Sequence, residues 1–187
     1  MNKPKLIIKN LFYSFVTRII ILILGFILPR LLITSFGSEV NGLLSTVTQI
    51  FTYLALLEAG IGNSAVNALY KPLRDKNYGI ANEVVNEARR YFQKVSLIYG
   101  LCVLGFAVVY PFCTHSSIRK STIFWVIMLQ GLSSVISYYF SAYYTHLLTA
   151  DGKRYINENI SFFTYVISSV LKIVLIMNGF GVISVQI

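Results

Sequence analysis

Five stretches of this chain are each long enough and apolar enough to cross a lipid bilayer, and that leaves few backbone forms open to them. They cover about residues 11–34, 43–69, 93–113, 121–149 and 159–177. A bilayer's hydrocarbon layer is crossed by an α-helix of about 20 residues. Lipid offers no hydrogen-bond partners, so a span must satisfy its own backbone, which a helix does within one segment. A sixth apolar stretch occupies 181–187, too short to cross alone. The expected fold is therefore all-α, a polytopic transmembrane helix bundle in one domain over 1–187, with five complete spans and the start of a sixth. On this reading the chain is a fragment or the product of a truncated gene. Only 12% of residues are charged, against about 25% in an ordinary soluble domain.

Lys3, Lys5 and Lys9 precede the first stretch, as in a secretory signal. The apolar run is longer than a signal's hydrophobic region, and no small-residue cleavage site closes it, so it reads as an uncleaved span. The net charge of +9 raises nucleic-acid binding. Against that, the basic residues cluster between apolar stretches rather than on a soluble domain. With the N-terminus inside, eleven Lys and Arg fall on the cytoplasmic side: Lys3, Lys5, Lys9, Lys71, Arg74, Lys76, Arg89, Arg90, Lys94, Lys153 and Arg154. Arg30, Arg119 and Lys120 fall outside. That asymmetry predicts a cytoplasmic N-terminus. Cys102 and Cys113 are eleven residues apart in one apolar stretch, too far along a helix for a disulfide, and read as buried fillers.

In the connection from Lys71 to Lys94, Pro72 is expected to end the preceding helix and Asp75-Lys76-Asn77 to turn. Ile80, Val84, Ala88 and Tyr91 then recur at helical spacing. Residues 78–92 are either an amphipathic helix on the cytoplasmic membrane surface or an extension of the third span.

Polar residues inside spans are costly and face protein or water, so their positions carry the functional signal. In the first span Ser14, Arg18, Gly25 and Pro29 fall within about 60° on a helical wheel. Arg18 either faces an aqueous cavity or snorkels to the cytoplasmic surface. Arg30, about 120° around the wheel from Arg18, lies near the outer end and equally suits the interface. In the second span Ser45, Gln49, Thr52, Ala59, Asn63 and Asn67 fall within about 80°. This polar face either glues helices together or lines a hydrophilic cavity. Glu58 projects to nearly the opposite side, just before Gly60-Ile61-Gly62, whose glycines are a place for a bend. It is a candidate for ion coupling or for a structural pair. Lys172 in the fifth span either reaches the outer surface or joins the cavity. His115 and His146 show no metal-ligand spacing, and no metal, cofactor or catalytic constellation is expected.

Two motif regions stand out. One is Leu28-Pro29-Arg30-Leu31-Leu32 with Phe36-Gly37-Ser38-Glu39-Val40-Asn41-Gly42-Leu43. The other is Leu57-Glu58-Ala59-Gly60-Ile61-Gly62-Asn63-Ser64-Ala65, running into Leu69-Tyr70-Lys71-Pro72-Leu73. Together they resemble the N-terminal part of polysaccharide-biosynthesis membrane proteins of the O-antigen flippase type. These belong to the multidrug/oligosaccharidyl-lipid/polysaccharide exporter superfamily. Members usually have 12 to 14 spans in two lobes around a central cavity, so this chain would supply most of one lobe. The resemblance implies a bacterial cytoplasmic-membrane transporter, not an enzyme. Its cargo would be an undecaprenyl-pyrophosphate-linked glycan, flipped by alternating access. Arg18, Arg30 and Lys172 would attract the pyrophosphate, while Gln49, Asn63 and Asn67 would line the sugar path. Partners would be membrane lipid and other polysaccharide-assembly proteins. The rival readings are a drug or cation antiporter of the same superfamily, a membrane-embedded polysaccharide polymerase, and a non-transporting assembly partner.

Overall fold

The structure, a computed structural model, describes residues 3–114 and 116–186; for 3–14, 57–59 and 186 it describes the backbone alone. Among the described residues every regular element is helical. The order is α1 (Lys3–Phe36), α2 (Ser38–Arg74), α3 (Tyr78–Cys113), α4 (Lys120–Phe140), α5 (Ala142–Ala150) and α6 (Arg154–Met177), then a 3-10 turn at Ser184–Gln186. Four helices, α1, α3, α4 and α6, are long and apolar enough to cross a membrane. α2 makes five if its two halves, Ser38–Leu56 and Gly60–Arg74, form one span bent by 46°. The exterior is apolar: Phe26 is 77% exposed, Phe112 72% and Leu101 70%. Apolar surface this extensive belongs in hydrocarbon rather than in water.

The core lies where α2, α3 and α4 meet. Leu43, Val47 and Phe51 of α2 pack on Tyr99, Val103 and Ala107 of α3 and on Ile123, Val126 and Ile127 of α4. The buried α3 positions recur every three or four residues, as one face of a helix requires. Gly131 lets α4 approach closely, because a Cβ there would stand 3.1 Å from Phe51 Cζ and overlap the Val103 side chain. One buried polar bond crosses this core: the Ser96 hydroxyl donates to the Val135 carbonyl at 2.9 Å. A second, smaller cluster joins Val66 and Leu69 of α2 to Ala81 of α3 and Ala150 of α5. Helix α1 packs against α2 and α6, yet none of its apolar stretch is buried.

The boundaries differ from the sequence expectation in four places. Pro72 does not end α2, which continues to Arg74; without an N–H, Pro72 leaves one intrahelical bond unmade in the last turn. Of the two alternatives for segment 78–92, the structure takes the extension: it is the first half of α3. The link between α1 and α2 is Gly37 alone, at φ 87°, so α2 starts at Ser38. The stretch 121–149 is interrupted at Ser141 between α4 and α5, although the backbone bonds from Ser141 N–H to Ser137 O and from Thr145 N–H to Ser141 O run across it. Within 181–187, a 3-10 turn replaces the start of a straight helix, and Val182 tucks against the main core. Cys102 and Cys113 are exposed rather than buried, since both fall outside the stripe formed by Ser96, Tyr99, Val103 and Ala107.

Three helices end in the same hydrogen-bonded motif. In α2 the Lys76 N–H bonds Leu73 O and the Asn77 N–H bonds Pro72 O. In α5 the donors are Gly152 and Lys153, and in α6 they are Gly179 and Phe180. The residue after each C-cap has positive φ: 53° at Lys76, 72° at Gly152 and 75° at Gly179. Asn77 also caps α3, its side chain accepting from the Ile80 N–H at 3.3 Å. The α2–α3 and α5–α6 turns lie at one end of the bundle, joined by the smaller cluster, and carry Lys71, Arg74, Lys76, Lys153 and Arg154. This end is called the basic end below. At the opposite end, Glu39 accepts from the Ser117 N–H at 2.7 Å and from the Ser117 hydroxyl, tying the α3–α4 loop to the first turn of α2.

Candidate functional site

Helix α2 has two unlike faces. One carries Leu43, Val47, Phe51, Val66 and Leu69 into the two apolar clusters. The other, roughly 145° around the wheel, carries Ser45, Gln49, Thr52, Asn63 and Asn67, all exposed. The amides of Gln49, Asn63 and Asn67 make no hydrogen bond to another helix among the described residues. Hydroxyls nearby turn inward on their own helix: Thr52 donates to Thr48 O at 2.8 Å and Ser64 to Gly60 O at 3.0 Å. An amide left in hydrocarbon costs on the order of 1–3 kcal/mol, so a face of this length does not suit lipid. Within this chain it is not interhelical glue.

The cations are placed separately. Arg18 and Arg30 lie exposed on α1, about 18 Å apart along its axis. Lys172 is partly buried on α6, which packs against α1. No ion pair or hydrogen bond among the described residues joins these three to one another or to the α2 amides. The α2 stripe is therefore continuous, whereas the cationic part of the expected site is not assembled into one pocket. The side chains of Ser14 and Glu58 lie outside the described residues, as does His115.

Two residues beside α2 were not anticipated. Gln130 of α4 donates from Nε2 to the Thr48 hydroxyl at 2.7 Å, while Thr48 donates to Leu44 O at 2.8 Å. Gln130 Oε1 is buried and has no hydrogen-bond partner among the described residues. The available signal was that Gln130 is the one amide side chain within 121–149. The other is His146 of α5, whose ring stacks on Phe92 of α3 with centroids 5.2 Å apart. It lies directly over Gly62, where a Cβ would stand 2.7 Å from His146 Nε2. The bend of α2 thus falls where α3 and α5 meet it, and it separates the two apolar clusters.

Chemically, the exposed amides and hydroxyls can exchange hydrogen bonds with a hydroxyl-rich ligand, and arginines on the neighbouring helix can pair with an anion. Among the described residues no group of three His, Cys, Asp or Glu is placed to hold a metal ion. The architecture is that of a helical bundle with several helices of membrane-crossing length. No family model, no curated protein and no solved structure matches the chain.

Proposed function

We propose that this chain forms one wall of a transport path through a bacterial cytoplasmic membrane, with its N-terminus inside. The cargo proposed is a lipid-linked oligosaccharide or polysaccharide repeat unit, carried on undecaprenyl pyrophosphate and moved by alternating access. The observation that carries this reading is the α2 stripe of Gln49, Asn63 and Asn67, exposed on the side away from the packed core and without a hydrogen bond to another helix among the described residues. A polar face of that kind needs water or a polar ligand opposite it. Sugar hydroxyls suit amide donors and acceptors, and the lipid tail can stay in the hydrocarbon.

The exposed cations Arg18 and Arg30 on the adjacent helix favour an anionic head group over the cationic cargo of a drug antiporter. The resemblance of residues 28–73 to flippase-type exporters points the same way. A polymerase is disfavoured by the short connections at the non-basic end, Gly37, residues 114–119 and residues 178–183.

The test is accumulation of lipid-linked repeat units on the inner leaflet of a deletion strain. Complementation with Gln49→Leu/Asn63→Leu at normal protein level is expected to leave that accumulation in place. Full restoration of export by this variant would refute the reading.

A further inference from the structure

A cleft of about 600 Å³ opens at the basic end, between the last turns of α2 and the α5–α6 turn. Asn67, Tyr70, Lys71 and Arg74 line it from α2, with Ala150 and Asp151 opposite. That volume falls within the range of small-ligand sites, about 300–1,000 Å³.

The charges of the cleft do not cancel internally. Asp151 is engaged by Lys153 Nζ at 2.6 Å. Arg74 gives its Nε–H to Asp75 at 3.2 Å, which leaves its terminal nitrogens without a partner among the described residues. Lys71 is exposed and has no acidic partner among them. The cleft therefore offers an ammonium, half of a guanidinium fork, an amide and a phenol, over an apolar floor of Leu73 and Ala150 that belongs to the smaller core cluster. Its mouth is at one end of helices whose sides are apolar, and a bilayer around those sides would present its head groups toward that end.

We propose that this cleft binds the phosphate ester of a membrane lipid head group. Lys71 and Arg74 pair with the phosphate, and Asn67 and Tyr70 hydrogen-bond the hydroxyls next to it. The acyl chains remain beside the apolar helix surface. The cleft shares Asn67 with the α2 stripe, but lipid retention needs no transport activity, so its test does not depend on the cargo proposed above.

The experiment uses the purified full chain in phosphatidylcholine nanodiscs doped with phosphatidylglycerol, with lipid retention read by native mass spectrometry. Inorganic phosphate without phosphatidylglycerol forms a parallel arm. Phosphatidylglycerol is expected to be retained, and Lys71→Gln/Arg74→Gln to weaken retention about tenfold or more. Arg90→Gln/Lys94→Gln, which removes two exposed cations outside the cleft, is expected to leave it unchanged. If the cleft pair loses its helicity, Lys71→Gln alone carries the test, and Lys71→Arg is expected to retain the lipid. Equal loss in both double variants would mean diffuse basic attraction and overturn the proposal. So would failure of the unmodified chain to retain phosphatidylglycerol, or equal binding of inorganic phosphate.

Discussion

The imidazole of His146 stacks on the ring of Phe92, with planes 13° from parallel, and the His146 ring closes over Gly62 beside the bend of α2. The missing Cβ of Gly62 is what admits the ring. Gly62→Ala is expected to destabilise the bundle by about 1–3 kcal/mol, through overpacking at a site already filled. His146→Ala alone removes the stack and costs roughly 0.5–1.5 kcal/mol. In the double variant the added methyl no longer meets a ring, so the loss should fall short of the sum of the two single losses. Thermal unfolding of all three variants in detergent measures this coupling. Strict additivity would mean that the two residues do not touch.

The bond between Glu39 and Ser117 joins segments 78 residues apart. Both groups are exposed, so its role is local order of the α3–α4 loop rather than global stability. Glu39→Gln keeps one acceptor oxygen, and Glu39→Ala keeps none. Amide hydrogen exchange within residues 116–119 is expected to rise most in the alanine variant and less in the glutamine variant. The unfolding temperature should not change.

Lys76 occupies a left-handed backbone position that the two sister motifs give to glycine. A side chain there costs roughly 1–2 kcal/mol, offset partly by the greater unfolded-state freedom of glycine. Lys76→Gly is therefore expected to stabilise by about 0.5–1 kcal/mol. The reverse change at the matching position, Gly152→Ala, should destabilise by a similar amount. Unfolding midpoints of the two variants would carry opposite signs.

The Asp151 carboxylate, hydrogen-bonded to Lys153 in the α5–α6 turn, holds the Lys153 ammonium above the ordinary lysine value of 10.5. A lysine raised on folding contributes fully at pH values below the unfolded value and loses its contribution as pH rises through the folded one. The pair should thus have no pH-dependent effect on the turn in the neutral range and should loosen it as pH rises above about 10.5. Asp151→Asn is expected to abolish that alkaline step, read by hydrogen exchange across residues 150–156.

Much of the architecture was legible because membrane helices are specified locally. Run length alone marks α1, α3 and α6, since each buries its backbone bonds within itself. Errors arose where an end is decided by a few hydrogen bonds. Pro72 reads as a stop, yet the closing bonds come from Lys76 and Asn77, which lie beyond it. Residues 121–149 read as one span, yet the helix is interrupted at Ser141 between α4 and α5.

The α2 stripe was visible for the same local reason: Gln49, Asn63 and Asn67 share a wheel position whatever surrounds them. Which helices would cover that face was not visible. Contacts with α3, α4 and α5 are made by the other side, so the stripe is left exposed. By itself the sequence determined the helices, their apolar exterior and the polar face, because run length and a period of 3.6 act within one segment. Only the tertiary structure decided that His146 lies over Gly62, that Gln130 meets Thr48, and that Lys71 and Arg74 face Asp151 across a cleft. Each of those joins residues more than seventy positions apart, and no local pattern encodes which distant side chain will fill a given gap.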